Sequence, residues 1–508
     1  MTRRKAQTEP EREPFARARA TFASIVEYLG GDGAPPTERD LEKVIGERSW
    51  ELALQLLDGR FAVLLERERA DLLASPPPEG TDVRLRCRQL ETEFGRTVLF
   101  RHGLTAPGEN AARFPMDEQL NLPPDLYSHS LRERVLDEAR RGAWDQAVAQ
   151  VDSRTGGHVP KRQAEELAVH VSGDFEAFYE QRTIPANDSL STGALLVASC
   201  DSKGIRMLPE ALRDATRKVA EAEQADAVRG DPMAAKKLRQ HDKRMALVTA
   251  VWEQEPHRRT PQDIIDNLRP ASDPQACKRK KARKARAPRP QGKRLVASVE
   301  KSQTEGIAEM FEELDRRDLL RTRSVVMLID GEENQKRAIL EEECRRERRL
   351  VLVLDIIHVL SYLWRAGFAL CGKNATKTDV WVTRFLKKLL TGPVEAVIAD
   401  IQRSVAQRGI SGKQRKPIDD CIRYFTGNAP WMRYSEFLDA GFPIATGVIE
   451  GACRHLIQDR LGITGACWGL AGSEAILKLR ALHTNGDWDD YWAFHLRREA
   501  ARNYVRAA

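Results

Sequence analysis

The chain has eight cysteines (87, 200, 277, 344, 371, 421, 453 and 467) but no C-x-x-C pair, and it lacks a G-x-x-x-x-G-K-[ST] loop. No apolar run approaches the roughly 18 residues that a membrane-spanning helix needs. Each absence closes a class. Scattered thiols argue against a zinc finger or a disulfide scaffold, and a missing phosphate loop argues against nucleotide hydrolysis. With no secretory leader at its start, the chain reads as a reduced, cytoplasmic protein without a membrane partner. Its 508 residues are too many for one core and suggest about three or four domains.

Positive charge is abundant but unevenly spread. The formal net charge is +7, and the stretch 278–294 alone carries ten basic residues and no acid. Such a run cannot bury itself, so it is expected as a loop or arm. Lys278, Arg279, Lys280, Lys281, Arg283 and Lys284 would exchange counterions for a phosphate backbone, unless the run is only a solubilising linker.

Residues 1–126 mix helical patterns with breakers such as Gly30-Gly31-Asp32-Gly33 and Ser75-Pro76-Pro77-Pro78, and suggest an accessory region. In 127–190, Ala143 to Arg154 reads as one helix and Val159 to Val171 as a second, joined by Thr155-Gly156-Gly157-His158. That is a helix-turn-helix pattern whose second helix would present Lys161, Arg162 and Gln163 to DNA. Plain packing through Val148, Val151 and Leu167 is the competing reading.

From 191 to 372 strands and helices alternate. Strands are expected at 194–200, 204–208 and 245–253 as a meander, the first two joined by a turn at Asp201-Ser202-Lys203-Gly204. Helices follow at 304–317, 334–345 and 356–370, with parallel strands at 324–329 and 350–354 between them. Segments 378–391, 393–408 and 416–425 look helical, so 373–440 reads as an all-helical insertion. Residues 441–508 would complete the core with a helix carrying Glu450.

A three-strand meander, a helix and two parallel strands is the order of the ribonuclease H-like α/β fold. Asp201, Asp330 and Glu450 each sit where an apolar run gives way to a turn or a helix. If they converge, three hard carboxylates can hold two Mg²⁺ (or Mn²⁺) ions on a scissile phosphate.

The segments around these acids, Asp201-Ser202-Lys203-Gly204, Leu328-Ile329-Asp330-Gly331, Leu354-Asp355-Ile356-Ile357-His358-Val359, Pro443-Ile444-Ala445-Thr446-Gly447-Val448-Ile449-Glu450-Gly451, Trp468-Gly469 and Asn485-Gly486-Asp487-Trp488-Asp489, resemble the bacterial DDE insertion-sequence transposases of the Kra group. The resemblance spans roughly 80–508 and is strongest after 440. It implies a DNA transposase with Asp201, Asp330 and Glu450 as catalytic, metal-binding residues and two ions per active site. Asp355 and His358 are implied as an auxiliary D-x-x-H element. Its partners would be terminal inverted repeats and target DNA, its state a homodimer or higher oligomer on DNA, and its place the bacterial nucleoid. Ser202, where glycine is usual, and the acids Glu332 and Glu333 depart from the pattern.

Structural readings stand beside these. Asp201 and Asp330 suit turns, Asp355 suits a helix N-cap, and Glu450 and Arg454 suit a surface pair at i,i+4. Arg454, Lys478 and Arg480 are candidates for phosphate contact, and Trp431 and Trp468 for base stacking or for burial in a core. A hydrolysis-only ribonuclease H-like nuclease and a non-catalytic DNA-binding protein are the alternative functions.

Overall fold

The computed structural model describes residues 13–33, 37–182, 193–228, 242–268, 277–278, 280–281, 287–372, 375–463 and 465–504. The chain divides into two compact units, one formed by Met1–Glu180 with Asp487–Ala508 and the other by Gln181–Gly486. The last helix, Trp488–Tyr504, therefore joins the N-terminal unit instead of completing the core expected for 441–508. Aromatic packing explains this: Phe178 meets Tyr491 and Phe494 at centroid separations of 5.4 and 5.6 Å. The preceding helix, Leu470–Asn485, is stopped by Gly486 in the left-handed region at φ 77°, a conformation that costs glycine little.

The N-terminal unit is mainly helical, and its helix Glu38–Ala74 runs for 37 residues. It also contains an antiparallel hairpin, β1 (Asp82–Thr92) and β2 (Gly95–Thr105), paired from Asp82↔Thr105 to Thr92↔Gly95. The hairpin was not anticipated. Its apolar partner is the long helix: Phe61, Leu64 and Leu65 cluster with Leu90, Leu99, Met116 and Leu122. The expected helix pair is found at Trp144–Arg154 and Lys161–Ser172, the second starting after Pro160 instead of at Val159. Its packing uses Val151 and Leu167, which are buried, while Val148 is only half-buried.

The second unit is α/β, with a mixed five-stranded sheet in the order β5-β4-β3-β6-β7. The strands are β3 (Leu195–Arg206), β4 (Lys243–Gln254), β5 (Gln291–Ser298), β6 (Val325–Ile329) and β7 (Val351–Leu354). β3 is antiparallel to β4 and parallel to β6; β4 is antiparallel to β5, and β6 parallel to β7. Helices cover the sheet, which is why Leu195–Cys200 and all of β6 are buried without a break and are apolar apart from Ser199. The helix Gln303–Arg317 lies close against β4 because Gly306 has no Cβ; one would stand 2.6 Å from the Leu247 side chain.

Two expectations about this sheet fail. The strands expected at 194–200 and 204–208 are one continuous strand, since all twelve residues of β3 pair with β4 and no turn interrupts them at 201–204. The third meander strand is β5, whose first residues Gln291–Arg294 are the end of the basic run. The helices expected between 373 and 440 are found at Ala375–Thr391, Val394–Arg408 and Lys416–Asn428, followed by Tyr434–Asp439. No described helix is long and apolar enough to cross a membrane.

In the N-terminal unit, burial and the nearby Arg132 push His129 down to about 4 from 6.5. Its Nε2 donates to the Asn121 carbonyl at 2.9 Å, and its buried Nδ1 meets no acceptor for a second proton. The unfolded ring takes a proton near pH 6.5 and the folded ring only near 4, so stability from the neutral ring is complete above the first value and is lost as pH falls toward the second. The loss is roughly 3 kcal/mol. His129→Gln should flatten the urea-midpoint profile across that window; equal slopes in both proteins would contradict the assignment.

Candidate active site

The parallel register pairs Ser199 with Leu328. Two residues further along each strand direction stand Asp201 and Asp330, on the same face by the two-residue period. Both line one cavity of about 520 Å³, together with Ser202, Arg213, Lys301, Gln303, Glu332 and Gln335. The strand pairing thus joins two carboxylates that are 129 positions apart in sequence (330 − 201).

Asp330 ends β6 at a sharp bend. Gly331 adopts φ 88°, and a Cβ there would stand 2.9 Å from the Tyr424 ring; the Tyr424 hydroxyl donates to the Asp330 carbonyl at 2.5 Å. The Glu332 N–H donates to Asp330 Oδ1 at 2.8 Å. Burial holds the Asp330 carboxyl above the usual carboxylate range, with Asp201 and Glu332 adding to the rise against the Glu332 N–H and His358. Two like charges and poor solvation thus oppose ionisation, which is the situation a divalent cation relieves.

Asp201 lies within β3 and not at a turn. Its Oδ1 accepts from the Ser202 N–H at 2.7 Å, and its Oδ2 faces Lys203 Nζ at 2.9 Å and Cys453 Sγ at 3.5 Å. The Lys203 ammonium is raised: burial lowers it, but the bond and charge of Asp201 outweigh burial. An ammonium therefore neutralises this carboxylate.

Glu450 lies in the helix Gly447–Ala452, which continues into a π-helical segment, Cys453–Gln458. Its carboxylate is exposed and makes no side-chain hydrogen bond or ion pair with a described residue. It is not among the residues lining the cavity. Cys453, one turn on and on the same helix face, is the residue that touches Asp201. Arg454 pairs at 3.6 Å with Asp459 and not with Glu450. A π turn leaves carbonyls without their regular partners; the Arg480 Nε donates to those of His455 and Leu456 at 2.8 and 3.1 Å, so that guanidinium is a structural brace.

Asp355 is fully buried, and both its oxygens are engaged. Oδ1 caps the helix Ile356–Cys371 by accepting from the Ile357 N–H at 2.7 Å, while Oδ2 accepts from the Thr446 N–H at 3.3 Å and from the Thr446 hydroxyl. Its own N–H donates to the Ile329 carbonyl at 2.8 Å. The capping reading of Asp355 therefore holds, and a direct ligand role does not fit a carboxylate filled by donors. His358, half-buried on the same helix, acts on Asp330 through its charge.

Of the DNA-contact candidates, Lys161 pairs with Asp145 at 2.8 Å, Arg162 with Glu166 at 3.0 Å, and Gln163 donates to Glu166 at 2.8 Å. All three lie at the start of the second helix, and each has an acid beside it. Lys278, Lys280 and Lys281 are helical; Arg279, Arg283 and Lys284 lie outside the described residues. Trp468 is buried, with its Nε1 donating to the Leu461 carbonyl at 3.3 Å and Arg460 over its ring at 4.6 Å. It belongs to the core, so stacking on a base is ruled out for it. Trp431 is half-buried beneath Lys336 at 5.0 Å.

Sequence reasoning missed Lys203, Glu332, Gln335, Thr446 and Cys453. Lys203 had a signal, since side chains two apart on a strand share a face. Gln335, Thr446 and Cys453 are set by tertiary contacts, whereas Glu332 was visible two positions from Asp330 but was given no role there. No protein-family model matches the chain, and no curated protein matches it.

Replacing Asp355 with Ala should cost roughly 3 kcal/mol in denaturant unfolding, because buried donors lose their acceptor; a cost near zero would remove its bracing role. Asp330→Asn should instead raise the melting temperature of the metal-free protein, since it deletes a poorly solvated charge but keeps the Oδ1 acceptor. A lower melting temperature would show that the acid pair carries no strain.

Proposed function

We propose that the chain is a metal-dependent DNA transposase with a ribonuclease H-like core. The observation that carries the reading is the pair Asp201 and Asp330, side by side on neighbouring parallel strands in one cavity. The sheet order supports it. Taken in chain order, the strands stack 3-2-1-4-5 with the second antiparallel to the rest, an order compatible with a ribonuclease H-like core, and the helical segment from 375 to 439 falls between the second and third acids.

The donor set fits a hard divalent ion. Asp201, Asp330 and the unpaired Glu450 are oxygen ligands, and the raised Asp330 carboxyl would be brought into its charged form by a cation. Two Mg²⁺ or Mn²⁺ ions held there would sharpen the attacking oxygen and offset charge on the leaving 3′-oxygen. The protein's own part is placement. Asp355 and Thr446 fix the start of the Glu450 helix against the end of β6, and Lys203 balances Asp201 until the ions arrive. In cleavage, water forms the new P–O bond and loses a proton while the 3′-oxygen leaves and takes one up as a 3′-hydroxyl; in joining, that 3′-hydroxyl gives up its proton and bonds to a target phosphate as the target's own 3′-oxygen departs and is protonated in turn. Bond count is conserved in each exchange, so no nucleotide hydrolysis is required.

On this reading the N-terminal unit and the basic run bind terminal inverted repeats, the helical segment from 375 to 439 holds element ends, and the protein works on DNA in the nucleoid as a dimer or larger assembly. The test is a duplex ending in the inverted repeats that flank the coding region, incubated with target DNA and Mg²⁺. Nicking at the repeat end and joined product are expected, both abolished by Asp201→Asn, Asp330→Asn and Glu450→Gln in folded protein. Cleavage without joined product would favour the nuclease alternative, and full activity in the three variants would remove the enzyme reading.

A further inference from the structure

The N-terminal unit contains a second group of metal-ligating side chains, distant in sequence from the acids discussed above. His495 and Glu499 stand four apart on the helix Trp488–Tyr504, so they share a face. Opposite them is His170, on the helix Lys161–Ser172. One ligand atom from each lies within 4.8 Å of the others.

The supporting shell is specific. Asp174 Oδ2 accepts from His495 Nδ1 at 2.8 Å, which puts the proton on Nδ1 and leaves the Nε2 lone pair free. That nitrogen is fully buried and has no hydrogen-bond partner. Glu499 is 1 % exposed, and its Oε2 likewise accepts no hydrogen bond. A buried polar atom without a partner is costly, and His495 Nε2, unpartnered among the described residues, belongs to a group whose ligand atoms lie within 4.8 Å of one another, which calls for an occupant. A carboxylate behind a histidine is also the usual outer-shell device that orients an imidazole toward a metal.

Nearby guanidiniums oppose a cation, but each already has an acid. Arg132 pairs with Asp125 at 2.6 Å and more loosely with Glu499 Oε2, at 3.6 Å, so a bound cation would replace only the longer of its two ion pairs. Arg498 and Arg502 both bind Asp174, and Arg502 reaches only the other Glu499 oxygen, Oε1, at 2.6 Å. The His170 Nε2 lies 3.1 Å from that same Oε1, and its side chain is exposed to solvent.

We propose that His170, His495 and Glu499 form a Zn²⁺ site with a fourth position open to water. Two imidazoles and one carboxylate suit Zn²⁺ better than Mg²⁺, which prefers all-oxygen ligands. The ion ties the C-terminal helix to the second helix of the candidate DNA-binding hairpin. This role is structural and independent of the strand-transfer reading.

The experiment uses the full-length protein, stripped with chelator, titrated with Zn²⁺ by calorimetry in millimolar Mg²⁺ and then with Co²⁺ by visible absorption. One Zn²⁺ per chain is expected, with a tetrahedral Co²⁺ spectrum. Binding should vanish in His495→Ala and in His170→Ala, the second being a surface change that leaves the fold intact. It should weaken about 10- to 100-fold in Asp174→Asn and persist in Asp330→Asn. Stoichiometric binding that survives His170→Ala, or no binding at micromolar Zn²⁺, overturns the proposal.

Discussion

A single buried carboxylate ties the second unit's candidate site together. Asp355 receives the Thr446 N–H and hydroxyl on one oxygen and caps its own helix with the other, while its N–H holds the Ile329 carbonyl. Thr446 directly precedes the helix of Glu450, and Ile329 directly precedes Asp330. The residue therefore stands between two acid-bearing elements and fixes both. A backbone bond from Ile356 to Ile444, 2.9 Å long, repeats the link alongside it. Charge buried for this purpose is tolerable only because every oxygen is filled.

The acids it braces behave in the opposite way. Asp201 leans on Lys203, Asp330 is held against ionisation, and Glu450 faces solvent without a partner among the described residues. Such unresolved charge lowers stability, and proteins carry it where a ligand completes the balance. The contrast between Asp355, filled by donors, and Asp330, held against ionisation beside Asp201, separates scaffold from site on physical grounds.

Much of the architecture was legible in the sequence because its signals were local. The buried strands β6 and β7 and the helices after 303 announce themselves by apolar runs and three-to-four-residue periodicity. Asp201 misled because Asp-Ser-Lys-Gly is turn chemistry, yet pairing with β4 holds it extended, a tertiary override of propensity. The hairpin β1–β2 did carry the alternation Val83-Arg84-Leu85-Arg86-Cys87-Arg88, but with Val83, Leu85 and Cys87 all exposed that stretch looks like a polar linker. Trp468 as core and the Trp488–Tyr504 helix as part of the first unit depend on contacts made across hundreds of positions, which no local window contains. The same holds for the His170, His495 and Glu499 group, split by over three hundred residues (495 − 170).

The most direct measurement is anomalous diffraction from crystals grown with Mn²⁺. Two manganese peaks about 3.5–4 Å apart, bound by Asp201, Asp330 and Glu450 and absent in Asp330→Asn, are what the account predicts. Peaks elsewhere, or a Glu450 carboxylate turned away from an ion shared by the two aspartates, would contradict it.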